Sequence, residues 1–198
     1  EDIMRKNNSF ATRKLVTTAV LSVIIIILQF LGYIIKTNVS ISLVLVPVVI
    51  GASLYGPSCG AFLGGVFGVI TSVGCIVGLD LGGAMLLAAN PVLTIALCFV
   101  KGIAAGLVAG LLYRLVAKKN GIAGIIVAAA SAPVVNTGIF CLAMALFYSE
   151  TLKAWAGGSD VLVYVFTGLI GINFIVEFLI NIILCPIIAG SLKITKKQ

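Results

Sequence analysis

Two ionisable residues, Lys101 and Glu177, stand inside otherwise apolar stretches of this chain, and two amides, Asn136 and Asn173, stand in the same kind of surroundings. Residues 90–114 read NPVLTIALCFVKGIAAGLVAGLLYR, and Lys101 is the one charge between Pro91 and Tyr113. A cation at the middle of a bilayer-length run costs roughly 3 kcal/mol on insertion scales, so it faces a partner or a wet cavity. Two arrangements meet that cost. Lys101 pairs with Glu177 while the asparagines join helices, or the group lines a pocket in which the ammonium and the amides meet a polar or anionic ligand. The two are compatible, because a Lys–Glu pair can floor a pocket whose amides orient a ligand. Asn90, at the head of the same run, and Trp155, in a later polar loop, complete the candidate binding set. Tyr164 is read as an interfacial aromatic.

The chain carries no motif for chemistry of its own. It lacks GxxxxGK[ST], GxSxG and HExxH, so any uphill transport must draw on a partner or an ion gradient. With no histidine in the sequence, a zinc or haem site is not expected. The reading is a non-enzyme without a cofactor. Cys59, Cys75, Cys98, Cys141 and Cys185 lie in or beside apolar runs without CxxC spacing, which reads as small buried hydrophobes.

Apolar runs must position these residues. The 198 residues are 61% hydrophobic and 10% charged, with mean hydropathy +1.26. A soluble domain carries roughly a quarter charged residues, so the chain is read as an integral membrane protein. The runs are continuous rather than alternating, which excludes a β-barrel. The expected fold is an all-α bundle of six transmembrane helices in one membrane domain, residues 1–198, with spans at about 15–35, 41–54, 58–76, 92–113, 122–148 and 161–192. Pro47 interrupts the second span. The sixth is longer than a bilayer needs, so it tilts or projects. Met4 reads as the natural start, and no A-x-A-like cleavage site follows the first run, so that run is retained.

The net charge of +7 does not indicate nucleic acid, because the basic residues sit at the ends of spans and form no stripe with aromatics. Arg5, Lys6, Arg13, Lys14, Arg114, Lys118, Lys119, Lys193, Lys196 and Lys197 fall on one side; Lys36 and Lys153 fall on the other. The positive-inside rule then makes both termini cytoplasmic. At 1.5 Å per residue, Lys101 lies about 15 Å from the outer end of its span, Asn136 and Asn173 about 18 Å and Glu177 about 24 Å, so their depths overlap. Two small-residue ridges at four-residue steps, Gly60, Gly64, Gly68 and Gly102, Gly106, Gly110, favour tight helix crossing. Residues 78–91, GLDLGGAMLLAANP, are read as an apolar loop folded back over the bundle as a lid or rim.

The run ISLVLVPVVIGASLYGPSCGAFLGGVFGVI (41–70) resembles the second and third spans of the substrate-binding (S) components of energy-coupling-factor (ECF) vitamin transporters. Residues 90–114 and APVVNTGIFCLAMALF (132–147) resemble their fourth and fifth spans. The resemblance covers nearly the whole chain and is closest to the pantothenate-type branch. It implies a high-affinity vitamin-binding subunit in a bacterial cytoplasmic membrane, working with a membrane scaffold (T) subunit and two ATPase (A) subunits. It places ligand on the outer side, among Asn90, Lys101, Asn136, Asn173, Glu177 and Trp155. It also implies docking through a small-residue face on the first span, here Thr18, Ala19 and Ser22, with Val23 departing from the pattern. Gly60, Gly64 and Gly68 offer a second contact. One lysine with several asparagines suits a small anion with hydroxyl and amide groups, such as pantothenate. Few aromatics converge on the site, which disfavours riboflavin and folate; niacin, pyridoxine, a thiamin precursor and a corrinoid stay open. The competing readings are a stand-alone carrier that uses Glu177 as a proton site and a purely structural membrane subunit.

Overall fold

The computed structural model describes residues 2–34, 43–158, 160–165, 167 and 171–192. Lys36 with the first outer loop, the first residues expected of the second span, and Lys193, Lys196 and Lys197 lie outside the described residues. The secondary structure among the described residues is helical throughout: α1 (Asp2–Ile34), α2 (Leu45–Tyr55), α3 (Pro57–Val77), α4 (Leu81–Ala89), α5 (Pro91–Ala117), α6 (Gly121–Phe147), α7 (Ser149–Ala156), α8 (Val161–Tyr164) and α9 (Gly171–Ser191). Among these, α1, α3, α5, α6 and α9 carry stretches long and apolar enough to cross a membrane.

Local chemistry sets the helix ends. Asn90 caps α5, its Oδ1 accepting from the Leu93 N–H at 3.1 Å, and Pro91 follows at the first helical position, where its missing N–H costs nothing. Asn120 caps α6 by accepting from the N–H groups of Ile122 and Ala123. Gly56 joins α2 to α3 with φ of +90°, a conformation that strains any residue with a Cβ. The Arg114 guanidinium fills the space where that Cβ would stand.

Two elements differ from expectation. Pro47 does not break a span; it sits in the first turn of α2, where proline is tolerated. Residues 78–91 are not an irregular loop. Asp80 caps a short helix, α4, by accepting from the Gly83 N–H at 2.9 Å, and the cap outweighs the helix-breaking tendency of Gly82-Gly83. Within the expected sixth span, α8 covers Val161–Tyr164 and α9 begins at Gly171, whose φ is +31°; residues 166 and 168–170 between them lie outside the described residues.

The 11 residues of α2 reach about 16 Å, too short for a roughly 30 Å hydrocarbon core. Instead α2 is the bundle's axis. Every residue from Leu45 to Ser53 is buried, and α1, α3, α5, α6 and α9 all pack on it. Leu45, Val48 and Val49 are fully buried in the core they share with Ile25, Leu63, Ile125 and Cys185. Outside this core the long helices expose leucine, isoleucine and valine along their length, for example Ile76, Leu107, Leu142 and Ile183. Such a surface suits lipid and not water.

The tightest contact joins α3 to α5. A Cβ at Gly60 would strike the Gly106 carbonyl oxygen, one at Gly64 the Gly102 oxygen, and one at Gly68 the Cys98 oxygen. The partners step by four in opposite directions, which is an antiparallel pair of small-residue ridges at backbone contact. These glycines are therefore taken up inside the chain. The expectation that Gly60, Gly64 and Gly68 offer a contact to another subunit is corrected, because their faces are covered by α5.

Charge is segregated between the two ends. Arg114 lies on the α2–α3 corner, the Tyr55 hydroxyl donates to the Arg13 carbonyl at 3.4 Å, and Lys118 and Lys119 follow α5. The opposite end holds Asp80, Asn90, Glu150 and α7.

Gly64 and its neighbour Gly65 supply a matched test. A Cβ at Gly65 would meet only the Ile103 side chain at 3.7 Å. Gly64→Ala should lower unfolding stability in detergent by about 1–3 kcal/mol, as overpacking does. Gly65→Ala should be neutral or stabilising by up to about 1 kcal/mol, through helix propensity. Equal melting temperatures for the two variants would contradict the packing described.

Candidate ligand-binding site

Above the last contact of the glycine ridges, α3 and α5 no longer touch backbone to backbone, and a cavity of about 210 Å³ opens between them. One face of α5 forms its long wall. Thr94, Leu97, Cys98 and Lys101 line it, and their spacing of three or four residues puts them on one side of the helix. Cys75 of α3 stands opposite. Asp80, Gly82, Gly83 and Leu86 contribute the α4 side, Phe140 comes from α6, and Trp155 from α7.

Two small structures hold the cover in place. The Thr94 hydroxyl donates to the Asn90 carbonyl at 2.8 Å and lies 2.7 Å from the Tyr148 hydroxyl, which is itself 3.3 Å from the same carbonyl. This node fastens the end of α6 to the start of α5. Beside it, Leu86, Met144, Tyr148 and Leu152 form a second buried core, with Phe140 and Trp155 packed against it. That core seats α7 over the cavity, and the Trp155 ring lies 3.8 Å from where a Gly82 Cβ would stand. On its outer side α7 carries the exposed Lys153–Glu150 ion pair at 2.9 Å. After α7, Gly157 and Gly158 both have positive φ, the left-handed backbone with which glycine ends a helix.

Lys101 is held by aromatic rings. Its Nζ lies 5.8 Å from the centroid of Phe67 and 5.4 Å from that of Phe140. Each contact is worth about 0.5–2 kcal/mol, depending on desolvation, which offsets much of the cost of placing a cation here. Among the described residues no ion pair joins Lys101 to Glu177. Glu177 is 9% exposed on α9 and interacts with Lys101 only at longer range. The ammonium keeps its hydrogen-bonding capacity and faces the cavity.

Of the residues singled out from sequence, the cavity brings together Lys101 and Trp155. Asn90 is an exposed helix cap at the rim. Asn136 is half-buried on α6, with an Oδ1 that has no hydrogen-bond partner. Asn173, half-buried on α9, has an interaction of its own. None of these three, nor Glu177, forms part of the cavity lining. The docking residues divide. The Thr18 hydroxyl lies 3.4 Å from Cys59 Sγ and so turns toward α3, while the Ser22 hydroxyl donates to the Thr18 carbonyl within α1. Ala19 and Val23 face outward.

Asp80, Thr94, Phe140, Cys75 and Cys98 were missed from sequence. Thr94 and Cys98 share a helical face with Lys101 and were within reach of a periodicity argument. Asp80 carried the signal of a capping residue before an apolar run. Phe140 and the thiols offered nothing that separates them from core residues. The site thus holds a cation, a carboxylate, aromatic faces and apolar walls, with no nucleophile–base pair. It is built to hold a small polar molecule. Its volume is below the roughly 300–1,000 Å³ of pockets for drug-sized ligands.

A family model described as "ECF transporter, substrate-specific component" matches residues 13–189. No curated sequence matches the chain.

Lys101 and Trp155 give separable expectations. Lys101→Ala should bind an anionic ligand at least tenfold more weakly, since a hydrogen bond to a charged group contributes about 1.5–3 kcal/mol. Trp155→Ala should mainly raise the off-rate, because it opens the cover without removing the charge. Stopped-flow binding and calorimetry on the two variants check both, and unchanged affinity in a folded Lys101→Ala would make that residue structural.

Proposed function

We propose, because the chain belongs to the family of ECF transporter substrate-specific components, that it is the high-affinity vitamin-binding subunit of an ATP-driven importer. Members of this family are multi-pass membrane proteins that bind small, vitamin-like substrates and act with T and A subunits; they are transport subunits, not enzymes. The observation that carries the reading for this chain is the cavity covered by α4 and α7, with the Lys101 ammonium facing it and held by the Phe67 and Phe140 rings.

Pantothenate is the first candidate ligand. Its carboxylate suits Lys101, its hydroxyl and amide groups suit the polar rim, and its size suits the cavity better than riboflavin, folate or a corrinoid. In this reading the Asp80–Trp155 end faces outward and captures the vitamin. The basic end carrying Arg13, Arg114, Lys118 and Lys119 faces the cytoplasm, as do both termini.

Docking on the scaffold subunit would use the outer face of α1. That surface is apolar and almost entirely unburied within the chain, and Ala19 gives it a small side chain near the exposed Val23. Thr18 acts from behind, by its contact with Cys59 of α3. A second reading, a proton-coupled carrier, draws on the burial of Glu177 without an ion pair. It requires uptake by the isolated chain.

The decisive experiment is to purify the protein, denature it, identify the released metabolite by mass spectrometry and titrate pantothenate by calorimetry. Nanomolar binding of a different vitamin would overturn the substrate assignment and keep the function. ATP-independent uptake into liposomes by this chain alone would replace the function. Ala19→Trp should leave ligand affinity unchanged and abolish uptake by the assembled transporter, since bulk on that face blocks helix approach. Full uptake by this variant would place docking elsewhere.

A further inference from the structure

The cavity is bipolar. Besides Lys101, its wall includes the carboxylate of Asp80, a residue that neither the candidate set nor the family match singles out. The two oxygens of Asp80 are in different positions. Oδ1 accepts the Gly83 N–H at 2.9 Å and is occupied as the α4 cap. Oδ2 meets only the Cys75 thiol, at 4.0 Å, and a thiol is a weak donor. A carboxylate oxygen has room for stronger hydrogen bonds than this. Among the described residues no cation pairs with Asp80, and Asp80 and Lys101 form no ion pair with each other. The cavity therefore presents an unneutralised cation on α5 and an acceptor on the α4 side.

We propose that Asp80 is the second polar anchor of the site, and that it selects ligands carrying a protonated donor, a hydroxyl or an ammonium, in addition to the anionic group held by Lys101. This rests on the reading of the cavity as the vitamin site. A ligand with only a carboxylate satisfies Lys101 but closes a like charge, with an unmet Oδ2, into the same small space. Leaving such an acceptor without a donor is penalised more heavily than making its hydrogen bond is rewarded. Asp80 thus rejects simple carboxylates as well as attracting bifunctional ligands, and selectivity needs both effects.

Asp80→Asn isolates this role. Asparagine caps a helix as well as aspartate does, so the Oδ1 bond and α4 are retained. The amide NH₂ then stands where Oδ2 accepted, a donor facing a donor. Three probes are titrated by calorimetry against the intact wild-type chain and Asp80→Asn: pantothenate (carboxylate and hydroxyls), β-alanine (carboxylate and ammonium) and nicotinate (carboxylate with neither). The same comparison is made for any metabolite released from the purified protein.

The expected result is that the wild type prefers pantothenate or β-alanine over nicotinate by tenfold or more. Asp80→Asn should weaken a hydroxyl ligand about tenfold and an ammonium ligand about a hundredfold, bind nicotinate more tightly because the like charge is gone, and keep the melting temperature of the unliganded protein. If the variant does not fold, Asp80→Ser, which also caps without a carboxylate, takes its place. Retained preference in the variant, or a released metabolite lacking any hydroxyl or ammonium donor, overturns the role of Asp80 and leaves the transport function standing. If no metabolite is released and none of the probes binds, the transport function falls and the role of Asp80 falls with it.

Discussion

Backbone-to-backbone contact between α3 and α5 is the constraint on which the rest depends. Lipid gives no hydrophobic push between helices, so close packing must come from shape. Glycines at four-residue steps on both helices let each carbonyl lie where the other helix would carry a side chain. That contact fixes the rotation of α5 about its axis. Rotation in turn decides that Thr94, Cys98 and Lys101 face the cavity while Val92, Val100 and Leu107 face outward. The buried α2 supports the same pair from below, and the Asn90–Thr94–Tyr148 node fixes its upper end.

The electrostatics follow from this geometry. A lone lysine deep in an apolar bundle is ordinarily neutralised by a carboxylate. Here Glu177 lies on α9, outside the cavity lining, and Phe67 and Phe140 hold the cation through their ring faces. Ring faces stabilise a charge without using its N–H donors, so the ammonium remains able to bind. Asp80 behaves similarly, with one oxygen fixed by the helix it caps and the other open to the cavity. Both charged groups are positioned by contacts that leave part of their bonding capacity free.

Much of this was legible in the sequence, for identifiable reasons. The ridge spacing announced a tight helix pair, Lys101 announced a cavity or a partner, and Asn90-Pro91 announced the start of α5. Other features were hidden because sequence spacing does not fix how one helix is rotated against another. Glu177 and Lys101 have overlapping depths, but Glu177 lies outside the cavity lining. Thr18 looked like part of an outer face because a helix in lipid is apolar all round, and its inner and outer sides differ little in composition. The span 3 glycines were equally ambiguous, since a small-residue ridge does not say whether its partner lies in the same chain. α4 was concealed by Gly82-Gly83; the small size of Gly83 is needed because Cys75 and Asp80 crowd against it.

The ridges have one more consequence. The contact is closest at Gly64, looser at Gly68, and gone where Cys75 and Thr94 line open space. The number of glycine steps therefore acts as a ruler that sets how deep in the bundle the cavity floor lies. One four-residue step corresponds to about 6 Å along a helix. Lengthening or shortening the ridge by a step would move the floor by that amount while leaving Lys101 in place. The ridge thus sets where the cavity begins, separately from the side chains that line it.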